Sequence, residues 1–314
     1  METLLSSGYN NGNRAFLQAI MARGALTFDE ACPIIAGIWE AEGRDGRREV
    51  TEDDFADYLS KASEAASIYD YEIRTTIHQV TKDRIYAFVN TRSDPQTQLA
   101  TTFALDELSF IKRLFDAMFE TYNSPRMEIM AITQMQAMKV ARPPNRNQTS
   151  DDTPEATQTS VDKGLKHSEV ETTLSNLVLG GWLERSKEGF YSLTPRGLLE
   201  LRPWLIETYN DDGGDWQRIK FCEACKELLT VGLRCNEPGC LLRLHEHCGD
   251  NFWRIHGGQT CPKCSTPFDG TRYVGERAVT QTDAYARGRR RPAKSTQGRR
   301  SSATHHADEE EDNE

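Results

Sequence analysis

The sequence predicts an α+β, multidomain chain whose last folded unit is organised by metal. Three observations predict this: helical apolar stripes giving way to β-branched pairs, the repetition of that order, and a late cluster of cysteines. Seven of the eight cysteines lie between Cys222 and Cys264. At 314 residues, with 37% apolar and 27% charged residues, the chain exceeds what one small core organises.

The first unit, residues 10–100, opens with RAFLQAIMARG, where Phe16, Leu17, Ile20 and Met21 fall at helical spacing before Gly24. Thr27 and Glu30 form a capping box ahead of FDEACPIIAGIWEA, in which Pro33 is expected to kink the helix or move its start. Cys32 reads as a small buried apolar residue. Thr51 and Asp54 begin a third helix, TEDDFADYLSKASEAASI. YEIRTTIHQV and RIYAFVNT follow, β-branched and aromatic around the turn TKD. Three helices and a hairpin describe a winged helix.

The order recurs in residues 101–212. DELSFIKRLFDAMFETY sets Leu108, Ile111, Phe115 and Met118 on one stripe, and Leu114 and Phe119 widen it. MEIMAITQMQAMKV is a second helix candidate, and SEVETTLSNLVLGG a third with Ser168 as cap and Glu171 at the third position. WLERSKEGFYSL reads as two short strands, and RGLLELRPWLIETY as a closing helix. Between the second and third helices, residues 141–166 are poor in large apolar side chains and are expected to be a disordered insertion. Tandem winged-helix domains are the economical reading.

In the zinc unit, residues 215–270, the candidate ligands run Cys222-x2-Cys225, Cys235-x4-Cys240, His245-x2-Cys248 and Cys261-x2-Cys264. Structural zinc is tetrahedral and takes thiolate and imidazole, and closely spaced pairs let one turn present two donors to one ion. Eight donors make two sets of four, hence two Zn2+ ions. His247 competes with His245, although the His-x2-Cys spacing favours His245. His256 reads as a surface or helix-end histidine, and His78 and His167 as structural or solvated.

A segment this short holds too little apolar surface to fold unaided, and each structural zinc can supply on the order of 10 kcal/mol. With every coordination position filled, the metal cannot activate water. No nucleophile elbow, phosphate loop or HExxH segment is present.

Residues 277–314 are expected to be a disordered charged tail, basic in RGRRRPAKSTQGRR and acidic in DEEEDNE. The basic run reads as a nuclear-import signal or simply a solvated tail, and the pair His305 and His306 as chance. From residue 287 to 314 there are seven basic and six acidic residues, a net of +1, so the body carries about −11 against the formal −10 of the whole chain. An acidic body repels polyanions, so any DNA contact is expected to be local or indirect. No apolar run approaches the ~20 residues needed to span a bilayer, and the N-terminus lacks a basic start, so no membrane association and a cytosolic or nuclear setting are expected.

The zinc pattern resembles a RING, and together with RAFLQAIMARG, YAFVNTRSDPQTQLATTFALDELSFIK and GWLERSKEGFYSLTPRGLLEL the chain resembles the non-SMC element one family of the SMC five/six chromosome-maintenance complex. The likeness covers roughly residues 10–268. It implies a fold of tandem winged helices followed by a small two-zinc cross-brace RING-like domain. In RING order, Cys222, Cys225, His245 and Cys248 hold one ion, and Cys235, Cys240, Cys261 and Cys264 the other.

It further implies a nuclear, chromatin-associated DNA-repair and recombination subunit bound to a MAGE-type winged-helix subunit and a kleisin subunit, with apolar patches on its winged helices as docking surfaces. The acidic body suits protein docking better than DNA reading. Ubiquitin-ligase activity is implied too, in which a ubiquitin-conjugating enzyme meets Ala224, Phe252, Trp253 and Pro262. Two departures point to weak or partner-dependent activity: Ala224 is small where RING ligases often offer a large aliphatic, and Ser265 stands where strong ligases often place a cation. A zinc-stabilised scaffold without catalysis is the alternative. A PHD-like chromatin reader shares the ligand order, but Gln259 stands where such readers usually carry an aromatic.

Overall fold

The computed structural model describes residues 8–91, 99, 102–144, 162–210 and 216–290. Its first unit contains α1 (Asn11–Arg23), β1 (Ala25–Leu26), α2 (Phe28–Ala41), α3 (Glu52–Ser67), β2 (Tyr71–Ile77) and β3 (Arg84–Asn90). All three helices start on reciprocal side-chain caps, Asn10 with Asn13, Thr27 with Glu30 and Thr51 with Asp54, which satisfy amides that the first turn leaves unpaired. Pro33 sits inside α2 and leaves its start at Phe28. Gly24, at φ 76°, ends α1 and turns the chain into β1.

That two-residue strand was not legible from periodicity. It pairs antiparallel with β3, which also pairs with β2 across seven residues, giving the order β1-β3-β2. Phe16, Ile20, Ile35 and Leu26 fill the core, and Phe55 meets Phe16 and Tyr86 edge-on. Met21, placed on the same stripe by spacing, is exposed, and Cys32 is only half-buried at the edge of this core.

The second unit repeats the order: α4 (Leu105–Asp116), β4 (Ile132–Thr133), α5 (Gln134–Lys139), α6 (His167–Leu179), β5 (Leu183–Arg185) and β6 (Phe190–Leu193), with sheet order β4-β6-β5. A π-helical turn, Ala117–Thr121, extends α4 and carries Met118 and Phe119 into the core. The closing segment is split into α7 (Pro195–Glu200) and α8 (Arg202–Tyr209). Pro203, lacking an N–H and crowding the preceding turn, suits the first turn of a new helix and not the interior of a long one.

Three expectations here are corrected. Residues 127–131 are not helical; α5 begins only at Gln134, where Thr133 accepts from the Gln136 amide at 3.3 Å and the Gln136 side chain accepts from the Thr133 amide at 2.8 Å. The cap of α6 lies two residues before Ser168, at Lys166, whose amide donates to Glu169 at 2.7 Å. Lastly, the two ends of the 141–166 insertion are ordered. Arg113 donates to the carbonyls of Val140 (2.9 Å) and Ala141 (3.0 Å) and pairs with Asp162, and the Leu165 amide donates to Ala141 at 2.9 Å. Residues 145–161 of that insertion lie outside the described residues.

The zinc module contributes β7 (Lys220–Phe221), β8 (Leu228–Leu229), β9 (Gly232–Arg234), β10 (Arg243–Leu244), α9 (Glu246–Ile255) and β11 (Tyr273–Val274). β7 pairs with β8, and the other strands form a sheet of order β10-β9-β11. Its apolar residues are continuous with the second unit in one core that runs from Phe110 and Leu205 to Leu244 and Val274, whereas the first unit keeps its own. The expected disordered tail from 277 is also corrected: α10 (Arg277–Thr280) and α11 (Asp283–Arg290) occupy its start, and residues 291–314, with the import-signal reading and the His305–His306 pair, lie outside the described residues. No helix among the described residues is long and apolar enough to cross a membrane.

Candidate metal centre

Each ligand pair is built by local backbone geometry. In the first knuckle the Lys226 amide returns to the Cys222 carbonyl at 2.9 Å with Lys226 at φ 62°, and in the last the Ser265 amide returns to Cys261 at 2.9 Å with Ser265 at φ 58°. These left-handed positions fold each Cys-x2-Cys back on itself so that both sulfurs face one point. Cys235 and Cys240 bracket the turn between β9 and β10, and His245 and Cys248 flank the start of α9.

The fold gathers two clusters, Cys222 with Cys225, His245 and Cys248, and Cys235 with Cys240, Cys261 and Cys264; within each, all donor atoms lie within 4.8 Å of one another. Donors come from alternating pairs along the chain, so the two centres interlock. Cys235 Sγ and Cys264 Sγ are 3.5 Å apart, as are those of Cys240 and Cys261. A tetrahedron of zinc–sulfur bonds holds its sulfurs about 3.8 Å apart, whereas a disulfide would bring them to about 2.05 Å. His245 Nδ1 lies 3.3 Å from Cys225 Sγ and 4.0 Å from Cys248 Sγ. The donor chemistry and spacing of both clusters therefore fit two zinc ions.

Without a cation such clusters are in electrostatic conflict. Hydrogen bonds from Cys225 and His245 pull the Cys222 thiol down to about 3. Burial, reinforced by the charge on Cys222, pushes its neighbour Cys248 up to about 11, and burial lifts Cys235 to about 12. A divalent ion removes the conflict by stabilising every thiolate at once.

The choice between two histidines is resolved by burial and aim. His245 is buried, and its other ring nitrogen, Nε2, lies 3.2 Å from the Leu228 carbonyl, the outer contact that holds a ligating imidazole in one tautomer. His247 stacks on His245 with ring centroids 4.9 Å apart and belongs to neither cluster. His256 ends α9 with Nδ1 2.9 Å from the Phe252 carbonyl.

The four residues expected at the conjugating-enzyme surface separate. Ala224 and Pro262 are exposed beside their knuckles. Phe252 and Trp253 are not available in the way the resemblance implied: they are 6% and 9% exposed and pack on each other edge-on, with Trp253 also 4.8 Å from Phe268. The helix turns these rings inward because a module held by two ions still needs an apolar floor.

Sequence reasoning missed a buried ion cluster beneath the second centre. Glu128 accepts from Arg243 Nε at 2.6 Å and Nη2 at 2.5 Å, with Arg234 at 3.4 Å and Lys220 at 3.9 Å. All four side chains are buried. Arg243 also donates to the Cys240 and Leu242 carbonyls, both at 2.7 Å. Three cations around one carboxylate leave a positive surplus, which suits a neighbouring tetrathiolate zinc centre of net negative charge. Nothing periodic marks Glu128, whose partners lie some hundred residues away.

Two family descriptions match the chain: "Nse1 non-SMC component of SMC5-6 complex" over residues 13–201 and "RING-like domain" over residues 222–264. The human non-structural maintenance of chromosomes element 1 homolog is 22% identical over 253 residues, covering 81% of this chain and 82% of its own. The Saccharomyces cerevisiae non-structural maintenance of chromosomes element 1 is 24% identical over 246 residues, 70% of each chain. A solved chain described as "Nse1-Nse3-Nse4 complex" superposes with a TM-score of 0.63 at 20% identity, covering 84% of this chain and 99% of that one, a likeness of fold. The matched segments cover most of both N-terminal units and all eight donors of the interlocked clusters, so this chain belongs to the Nse1 family of non-SMC components of the SMC5-6 complex, with a RING-like, two-zinc C-terminal domain.

Proposed function

We propose that this chain is a RING-type ubiquitin-ligase subunit of an SMC5-6 complex, acting in DNA repair and recombination in the nucleus. Both helix-rich units are read as winged helices, since each runs helix, strand, helix, helix, strand, strand with the short strand paired to the last. They would dock a MAGE-type subunit and a kleisin, in keeping with the solved relative described as an Nse1-Nse3-Nse4 complex. DNA would be reached through those partners, given the net charge of −10.

The observation that carries the ligase reading is the interlocked pair of four-donor clusters with Ala224 and Pro262 exposed at their knuckles. The zinc ions, held by Cys222, Cys225, His245 and Cys248 and by Cys235, Cys240, Cys261 and Cys264, supply structure alone, because four protein donors leave no position for water. The chain would act by holding a ubiquitin-charged conjugating enzyme in a reactive pose, and contributes no nucleophile of its own.

A non-catalytic scaffold is the second reading, and the burial of Phe252 and Trp253 favours it, because two of four contact residues are spent on the interior. Ubiquitination in vitro with the partner subunit present separates the two. Loss of product in Cys261→Ser supports the ligase; product that persists in that variant, or none from the intact protein, removes it.

A further inference from the structure

The hairpin between β2 and β3 of the first unit ends against the zinc module. Gln79, at its tip, uses its whole amide there. Nε2 donates to the Leu228 carbonyl at 3.0 Å, and Oε1 accepts from the Thr230 amide at 3.0 Å, the Val231 amide at 2.8 Å and the Thr230 hydroxyl at 3.4 Å. Two backbone N–H groups facing one atom and a carbonyl facing the other leave one amide orientation that satisfies all four. The neighbouring His78 anchors the same tip to the second unit through Glu184, with Nε2 2.9 Å from Oε2.

Leu228 joins this contact to the metal centre. Its carbonyl is 3.2 Å from His245 Nε2, while Nδ1 of the same ring faces the sulfurs of Cys225 and Cys248. One carbonyl oxygen, with two lone pairs, thus accepts from the zinc-ligating imidazole and from a side chain 149 residues away in sequence. Partners that hold the outer nitrogen of a ligating histidine fix its tautomer and ring orientation, and their loss typically weakens metal binding by about 10–100-fold.

We infer that Gln79 is a positioning residue of the Cys222–Cys225–His245–Cys248 zinc centre, through which the first unit sets the retention of that ion. The inference rests on the zinc reading of the two clusters and is independent of ligase activity. It acts on one ion only, since the Cys235–Cys240–Cys261–Cys264 cluster contains no histidine.

The test uses the full chain loaded with two equivalents of zinc, measuring release to a chromophoric chelator and hydrogen exchange at Thr230 and Val231. Gln79→Ala should release one equivalent about 10-fold faster, leave the other unchanged, and expose both amides to exchange. Gln79→Glu keeps the acceptor and loses the donor, so it should speed release while the two amides stay protected. His78→Ala, which removes the contact to Glu184 while Gln79 keeps its own four hydrogen bonds, should release zinc as the intact protein does. Unchanged release in both Gln79 variants would overturn the inference, as would equal acceleration in His78→Ala. An intact protein that binds no zinc would instead overturn the reading of the centre itself.

Discussion

Glu128→Ala removes the single carboxylate shared by Arg243, Arg234 and Lys220, all of them buried. The two closest bonds, at 2.6 and 2.5 Å to one guanidinium, form a bidentate pair in a site without water access. Breaking a buried pair by deleting one partner costs about 3–5 kcal/mol, because the surviving charge stays desolvated. Here three cations survive, so the upper part of that range applies. For a folded body of this size, each kcal/mol moves the melting point by roughly 2–4 °C, which puts the shift on the order of 10 °C.

The shift belongs to the transition that melts the second unit and the zinc module together, because Glu128 lies in one and its partners in the other. Thermal unfolding by circular dichroism in zinc-containing buffer reads it, with Lys61→Ala as control. That residue's pair with Asp57 is a solvent-facing i,i+4 contact worth only about 0.3–0.5 kcal/mol. Raising the salt should leave the Glu128 effect largely intact, since a buried pair is poorly screened. A Glu128→Ala protein within about 1 kcal/mol of the parent in denaturant unfolding would refute the cluster as a structural tie.

Chelation of both ions should unfold residues 222–264 while the first unit, which has its own core, keeps its helices; far-ultraviolet dichroism with parallel metal analysis reads this, and loss of all helix would contradict it. Trp253→Ala should cost about 3–5 kcal/mol by opening a cavity against Phe252 and Phe268, with stability loss preceding any loss of partner binding in titrations. His78 has its pKa raised above 6.5 by the hydrogen bond it donates to Glu184, against an opposing desolvation. A base with a raised folded pKa contributes stability that is full below the unfolded value and is lost as pH rises through the folded one. Denaturant midpoints should therefore fall as pH rises from about 6.5 through the folded value, and His78→Gln should flatten the profile; an unchanged slope in the variant would exclude the pair as its source.

Local pattern made the helices and ligands legible. Thr27 with Glu30 and Thr51 with Asp54 announced helix starts because a cap is a contact between residues three apart. Cysteine spacing announced the metal centre because each knuckle is closed within a few residues. Where pattern misled, a distant partner had intervened. Residues 127–131 look helical by their apolar spacing, yet Glu128 is drawn into a charge cluster with Arg243 and the chain about it stays irregular. The ends of the 141–166 insertion are held by Arg113, from a helix formed earlier in the chain. Phe252 and Trp253 occupy positions at which the resemblance implied surface, and the need for an apolar floor under two small ion-held loops buried them.

Residue types and their short-range spacing were thus enough to specify two sets of four soft donors and the alternation of helical and extended segments, since knuckles, caps and amphipathic stripes are energies of near neighbours. Which histidine faces the ion, which carboxylate neutralises the arginines beneath the other centre, and that Gln79 reaches the same carbonyl as His245 depend on contacts between residues far apart in sequence. No local rule encodes those pairings; packing three bodies against one another brings the partners within bonding distance and excludes the water that would otherwise satisfy them.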